Sequence, residues 1–248
     1  MAEANAGVAN GSSGGLMDGL IGMLNAFIDP AATAKRVPAK LFWLWPVITL
    51  IIIYVVFSTL LLPYTVQLVD ARISQTMLQR GVPPDQIERA QHMAESFSRF
   101  TGLATPAIVI GVIALLAWLV ALTGSMVGLR AKFRDVFCLM AACSLIPALQ
   151  YAADYIVVKT KGDEIQTPEQ LTPPFGIDIF FPGAHGAFYA FLNFFSIFEI
   201  WYLVVLVFGL AYLAGSSKGK AFAAITPAWV LPLLFRIIGA AFSGAGGS

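Results

Sequence analysis

Five apolar runs set the limits on what this chain can fold into: Leu41 to Pro63, Leu103 to Val127, Val136 to Val158, Ile197 to Gly215 and Ala221 to Phe242. Each is about 20 residues or longer, enough for a helix to cross roughly 30 Å of hydrocarbon. Lipid offers backbone groups no hydrogen-bond partners, so such runs have to be helical. Composition agrees: 58% of residues are hydrophobic, mean hydropathy is +0.79 and 12% are charged, about half the charged share of soluble domains. The expected fold is all-α, a polytopic membrane protein built as a bundle of five transmembrane helices. A net charge of +1 leaves no basic surface able to neutralise phosphates, which argues against a nucleic-acid partner.

The loops fix an expected orientation. Lys35, Arg36 and Lys40 precede the first run, Arg130, Lys132 and Arg134 join the second to the third, and Lys218 and Lys220 join the fourth to the fifth. The opposite loops mix basic with acidic residues: Arg72, Arg80, Arg89 and Arg99 accompany Asp70, Asp85, Glu88 and Glu95, while Lys159 and Lys161 sit near Asp163, Glu164, Glu169 and Asp178. Cytoplasmic segments carry the excess of Lys and Arg. The N-terminus is therefore expected inside and the C-terminus outside.

Four further segments complete the organisation. Residues 1–15 carry Glu3 and no Lys or Arg, unlike the basic start of a secretory signal peptide, and read as a flexible tail. Residues 16–30 read as an amphipathic helix with Leu16, Met17, Leu20, Met23, Leu24, Phe27 and Ile28 on one side and Asp18, Gly22 and Asn25 opposite. It either lies in the membrane interface or docks on the bundle. Residues 31–243 form the membrane domain, and 244–248 a second tail. Within the domain, residues 64–102 are expected to make an extracytoplasmic helical hairpin, broken where Gly81 ends one helix and Pro83 and Pro84 open the next. Thr167 and Pro168 look like the start of a short helix in the other outer loop.

Catalytic signatures are missing. His92 and His185 have no partners at metal-ligand or acid/base spacing, and the chain contains no Gly-x-Ser-x-Gly, His-Glu-x-x-His or phosphate-cradling glycine loop. Cys138 and Cys143 point to different sides of one helix, suggesting neither a disulfide nor a metal site. No enzyme activity, cofactor or metal is expected. Pro147, Pro227 and Pro232 interrupt the third and fifth runs and invite kinks. Gly124, Gly128, Gly209, Ala211 and Ala214 are small residues of the kind that let membrane helices approach closely.

The charges inside the runs form the candidate site. Ser196-x-x-Glu199 has capping-box spacing at the start of the fourth helix, which makes Ser196 the expected cap and Glu199 its partner. Counted at about 1.5 Å per residue, Glu199 lies near the outer end of the fourth helix, Arg236 one to two turns deeper on the fifth, and Asp154 near the outer end of the third. A long Arg side chain can climb that difference. Asp154, Glu199 and Arg236 are therefore expected to form an intramembrane polar cluster, serving either helix pairing or a ligand or ion.

"FIDPAATAKRVPAKLFWLWP" (Phe27 to Pro46) and "NFFSIFEIWYLVVLVFGLAYLAGSSKGKAFA" (Asn193 to Ala223) resemble the Yip1-domain family, and more closely its prokaryotic branch. The likeness lies in an aromatic residue before Pro30, Trp45–Pro46 at the first helix, Phe198, Ile200 and Trp201 at the fourth, and the Gly-Leu-Ala and Gly-Ser-Ser-Lys-Gly-Lys exit. It implies five spans and no enzyme, and, from the eukaryotic members, vesicle traffic between endoplasmic reticulum and Golgi and binding of prenylated Rab GTPases. This chain lacks the Asp-Leu-x-Gly-Pro and Gly-Tyr-Ser motifs and the long cytoplasmic N-terminal region of those members, which puts Rab-type GTPase binding in doubt. The expected function is a scaffold or trafficking-type factor that binds membrane lipids or other membrane proteins, itself included. A small transporter or channel is the alternative, disfavoured because the inner halves of the spans are nearly all apolar. The expected location is a bacterial cytoplasmic membrane, or endoplasmic reticulum or Golgi in a eukaryote.

Overall fold

The computed structural model describes residues 14–39, 41–161 and 174–245. Both expected tails, apart from residues 14–15 and 244–245, and the turn at Thr167 and Pro168 lie outside them. The described chain is helical, in the order α1 (Gly14–Asn25), α2 (Pro30–Arg36), α3 (Leu44–Gln79), α4 (Pro84–Met126), α5 (Phe133–Cys143), α6 (Leu145–Lys161), α7 (Gly186–Phe194), α8 (Ile197–Leu213) and α9 (Lys218–Ala245), with one 3-10 turn at Ile177–Phe180. Four segments are long and apolar enough to cross a membrane: α3, α4, α5 with α6, and α9 as far as Phe242. The 17-residue α8 is short alone and makes a fifth span only together with α7, from which it bends by 47°.

The spans at the hairpin are longer than their apolar runs. α3 passes through Pro63 to Gln79, and α4 starts at Pro84 and passes through Pro106. Residues 64–102 thus continue the spans instead of capping them, and α3 alone is about 54 Å long at 1.5 Å per residue. Pro63 is exposed, so one lost backbone donor does not stop residues that otherwise favour helix. The reversal is where the sequence puts it, with Gly81 at φ +69°, a left-handed conformation that suits glycine. Gln91 Nε2 donates to Ser74 Oγ at 2.9 Å and Ile87 is buried, which keeps the two arms together.

α1 docks on the start of α3 by a face that takes Gly22 from the polar side of the pattern and Leu20 and Met23 from the apolar side. A side chain at Gly22 would run into the Phe42 ring, and one at Gly19 would come within 2.6 Å of Trp45 Cδ1. Met23 and Ala26 are buried beside them, while Met17, Leu24 and Ile28 stay exposed. Gly19 and Gly22 let the backbone of this helix come close to the bundle, with Met23 packed beside them. Asp29 caps α2 by accepting from Ala32 N at 2.9 Å, with Pro30 at its first position. Buried Thr33 donates to Gly22 O at 2.8 Å, tying α2 back to α1.

α5 is the central element. Every residue from Cys138 to Ile146 is buried, and both cysteines are free. Within the most apolar window of each span, 61% of the α5–α6 residues are buried, against 22% for α3, 22% for α4 and 28% for α9. The break between α5 and α6 falls at Ser144, whose hydroxyl donates to Met140 O at 2.7 Å. Pro147 explains its place, because the ring clashes with the carbonyl four residues back, at Cys143. Pro227 and Pro232, expected to interrupt the last span, are absorbed within a continuous α9.

Candidate functional site

The α7–α8 elbow builds the site. Phe195 and Ser196 separate the two helices, and Ser196 Oγ accepts from Glu199 N at 3.2 Å, capping α8. The Glu199 carboxylate takes no part in a reciprocal cap: its Oε1 accepts from Trp229 Nε1 of α9 at 2.9 Å. Inside the bundle an indole N–H needs an acceptor, and the carboxylate supplies a charge-assisted one. Phe194 and Phe195 pack on Trp229, with ring centroids 5.2 and 5.6 Å away. Two turns along the same face of α9, Arg236 lies over the Phe194 ring, 5.7 Å from guanidinium carbon to centroid.

Asp154, Glu199, Arg236 and Ser196 all line one cavity of about 230 Å³, walled also by Tyr54 of α3 and Gln150 and Tyr151 of α6. The Tyr54 and Tyr151 rings meet edge to face at 5.0 Å. Asp154 is buried and its Oδ1 has no hydrogen-bond partner. Among the described residues, no ion pair joins Arg236 to Asp154 or Glu199. The cavity thus brings the four sequence-selected residues together without pairing the charges. Asn193, on its rim, donates to Asp178 Oδ2 at 3.2 Å, and Asp178 Oδ1 accepts from Gly176 N at 3.0 Å. Buried Asp178 thereby fastens the preceding segment to the elbow.

Toward the opposite, lysine- and arginine-bearing end, the charged lining stops. Below Glu199 a small space of about 40 Å³ is walled by Tyr202 together with Leu116, Met140, Leu206, Ile225 and Ala228, and below that Leu139, Leu210, Ala221 and Ala224 are buried. Sequence reading missed Tyr54, Gln150, Tyr151 and Trp229. Gln150 and Tyr151 carried a signal, since with Pro147 they occupy the i−7, i−4 and i−3 positions of Asp154's own helix face. Trp229 carried only the general need of an indole N–H for an acceptor. His92 is exposed on α4 and His185 precedes α7. Among the described residues, no group of three or more His, Cys, Asp or Glu is placed to hold a metal.

The fold and its buried polar cavity define an integral membrane protein, all-helical in its described residues, with up to five spans. Residues 24–239 match the model of the Yip1 domain, and the chain belongs to that family. Two of the residues that carry the resemblance meet in space: Trp201 Nε1 donates to Phe27 O at 3.1 Å and their rings lie 5.9 Å apart. No curated protein and no solved structure was found to match the chain.

Proposed function

We propose that this Yip1-domain protein is a non-enzymatic scaffold or trafficking-type factor that binds membrane lipids or other membrane proteins, including a second copy of itself. The observation that carries this reading is where the charged groups stop. Asp154, Glu199 and Arg236 line the cavity at the hairpin end, and below Glu199 the bundle is filled by uncharged side chains: Tyr202, then Leu139, Met140, Leu206 and Ile225. A transporter needs polar lining on both sides of its site, since substrate and ion paths are where intramembrane polar residues gather. The apolar faces of α3 and α4, including Ile52 and Leu115, are exposed and are the surfaces offered to lipid or partner helices. A small transporter or channel remains the second reading, favoured by the cavity itself.

We further infer the prokaryotic branch of the family and a bacterial cytoplasmic membrane, with the N-terminus inside and the C-terminus outside. Support comes from the gathering of cations at one end: Arg134 Nη2 donates to Ala39 O at 2.9 Å, and Lys220 Nζ approaches Gly128, so three basic segments share one face, as cytoplasmic segments do. The test of function is reconstitution. Proteoliposomes containing the purified chain should pass small ions and amino acids no faster than empty liposomes, while photo-crosslinkers at Ile52 and Leu115 should give discrete protein or lipid adducts in native membranes. Facilitated, saturable flux would replace the scaffold by the transporter.

A further inference from the structure

We propose that the cavity between α3, α6, the α7–α8 elbow and α9 binds a zwitterion bearing a primary ammonium and a phosphate or carboxylate, the ammonium on Asp154 and the anion on Arg236. This chemistry is shared by the headgroup of an ethanolamine phospholipid and by small free zwitterions. Asp154 is only 8% exposed and its Oδ1 lacks a donor, although a carboxylate within a span costs about 3 kcal/mol when uncompensated. Arg236 lines the same cavity and rests on the Phe194 ring. Asp154 is buried, while Arg236 is exposed at the cavity's edge. Here the elbow holds Arg236 and α6 holds Asp154, so that they face one cavity unpaired.

The lining selects the ligand class. Two carboxylates, Asp154 and Glu199, against one guanidinium leave an excess of negative charge, which calls for a cation; Arg236 calls for an anion on the same molecule. Glu199 is already bonded to Trp229, which makes Asp154 the seat of the ammonium. A quaternary ammonium has no N–H to give Asp154. Its usual receptor is a set of open aromatic faces, and here Tyr54 and Tyr151 pack on each other while Arg236 covers Phe194. The cavity of about 230 Å³ far exceeds the roughly 10–15 Å³ that one water needs and gives room for a small headgroup.

The proposal goes beyond the scaffold reading, which survives its failure and is tested separately by flux. The full-length protein is extracted from liposomes of equal phosphatidylethanolamine and phosphatidylcholine, and the retained lipid is measured by native mass spectrometry. A second arm adds O-phosphoethanolamine to protein in phosphatidylcholine nanodiscs and follows the unfolding temperature. We expect either retention of phosphatidylethanolamine over phosphatidylcholine by roughly tenfold, as one charge-assisted hydrogen bond gives, or a rise in unfolding temperature with the soluble zwitterion. The first result identifies a lipid source and the second a soluble one. Whichever appears should be lost in Asp154→Asn and in Arg236→Gln. Equal retention of the two lipids with no response to O-phosphoethanolamine would overturn the proposal without recourse to any variant, and so would binding that both variants keep.

Discussion

At the basic end of the bundle, Thr123 Oγ1 of α4 donates to Ala224 O of α9 at 2.6 Å, a side chain at Gly209 would come within 2.9 Å of Leu139 Cδ1, and Leu139 itself is fully buried. At the hairpin end, helices of the same bundle stand around a cavity of about 230 Å³ with a buried, unbonded carboxylate oxygen. The bundle interior is closely packed in the basic half, beside an open groove between α2 and α8, and stands open around polar groups in the hairpin half. Lipid supplies no hydrophobic force between helices, so close contact has to come from small residues and interhelical hydrogen bonds. The basic half uses both. The hairpin half replaces shape by a few directed bonds, Trp229 to Glu199 and Ser196 to the start of α8, and keeps its space.

The largest expected effect breaks the packed half. Leu139→Ala removes a side chain that fills the centre of α5's contacts with α8, and should lower stability by about 2 kcal/mol or more, read from unfolding in mixed detergent micelles. A smaller loss would mean that the basic half is looser than described. The next effect sharpens the polar half. Trp229→Phe and Glu199→Gln should each cost about 1 kcal/mol and be less than additive in a double-mutant cycle, while Glu199→Gln with Arg236→Gln should show weaker coupling. If the second pair couples more strongly than the first, Glu199 answers to Arg236 and the hydrogen-bonded partner has been misassigned.

Much of this contrast was legible in the sequence, and the reasons are physical. Apolar runs have to be helices in lipid, so the spans were readable. Gly81 with Pro83 and Pro84, and Ser196 before Ile197, have local chemistry that admits little else. Asp154, Glu199 and Arg236 could be set at nearby depths by counting residues, because a span has a fixed rise. Contacts across the bundle were not readable. Nothing near Glu199 in the chain points to Trp229, thirty residues on, and the apolar periodicity of α1 does not tell that Gly19 and Gly22 share its contact face with Met23. The α3 and α4 extensions were missed for a related reason: a polar helix that leaves the membrane has no apolar stripe to announce its continuity with the span.

The central claim is that the polar cavity does not continue to the basic end. In a variant with Cys138 and Cys143 replaced, single cysteines at Gln150, which lines the cavity, and at Ala142, which is fully buried in α5, test it with a small charged thiol reagent applied to either side of sealed vesicles. The account predicts that Gln150→Cys reacts from the hairpin side alone and that Ala142→Cys reacts from neither. Reaction of Ala142→Cys at a rate comparable to Gln150→Cys, or of Gln150→Cys from both sides, would contradict it.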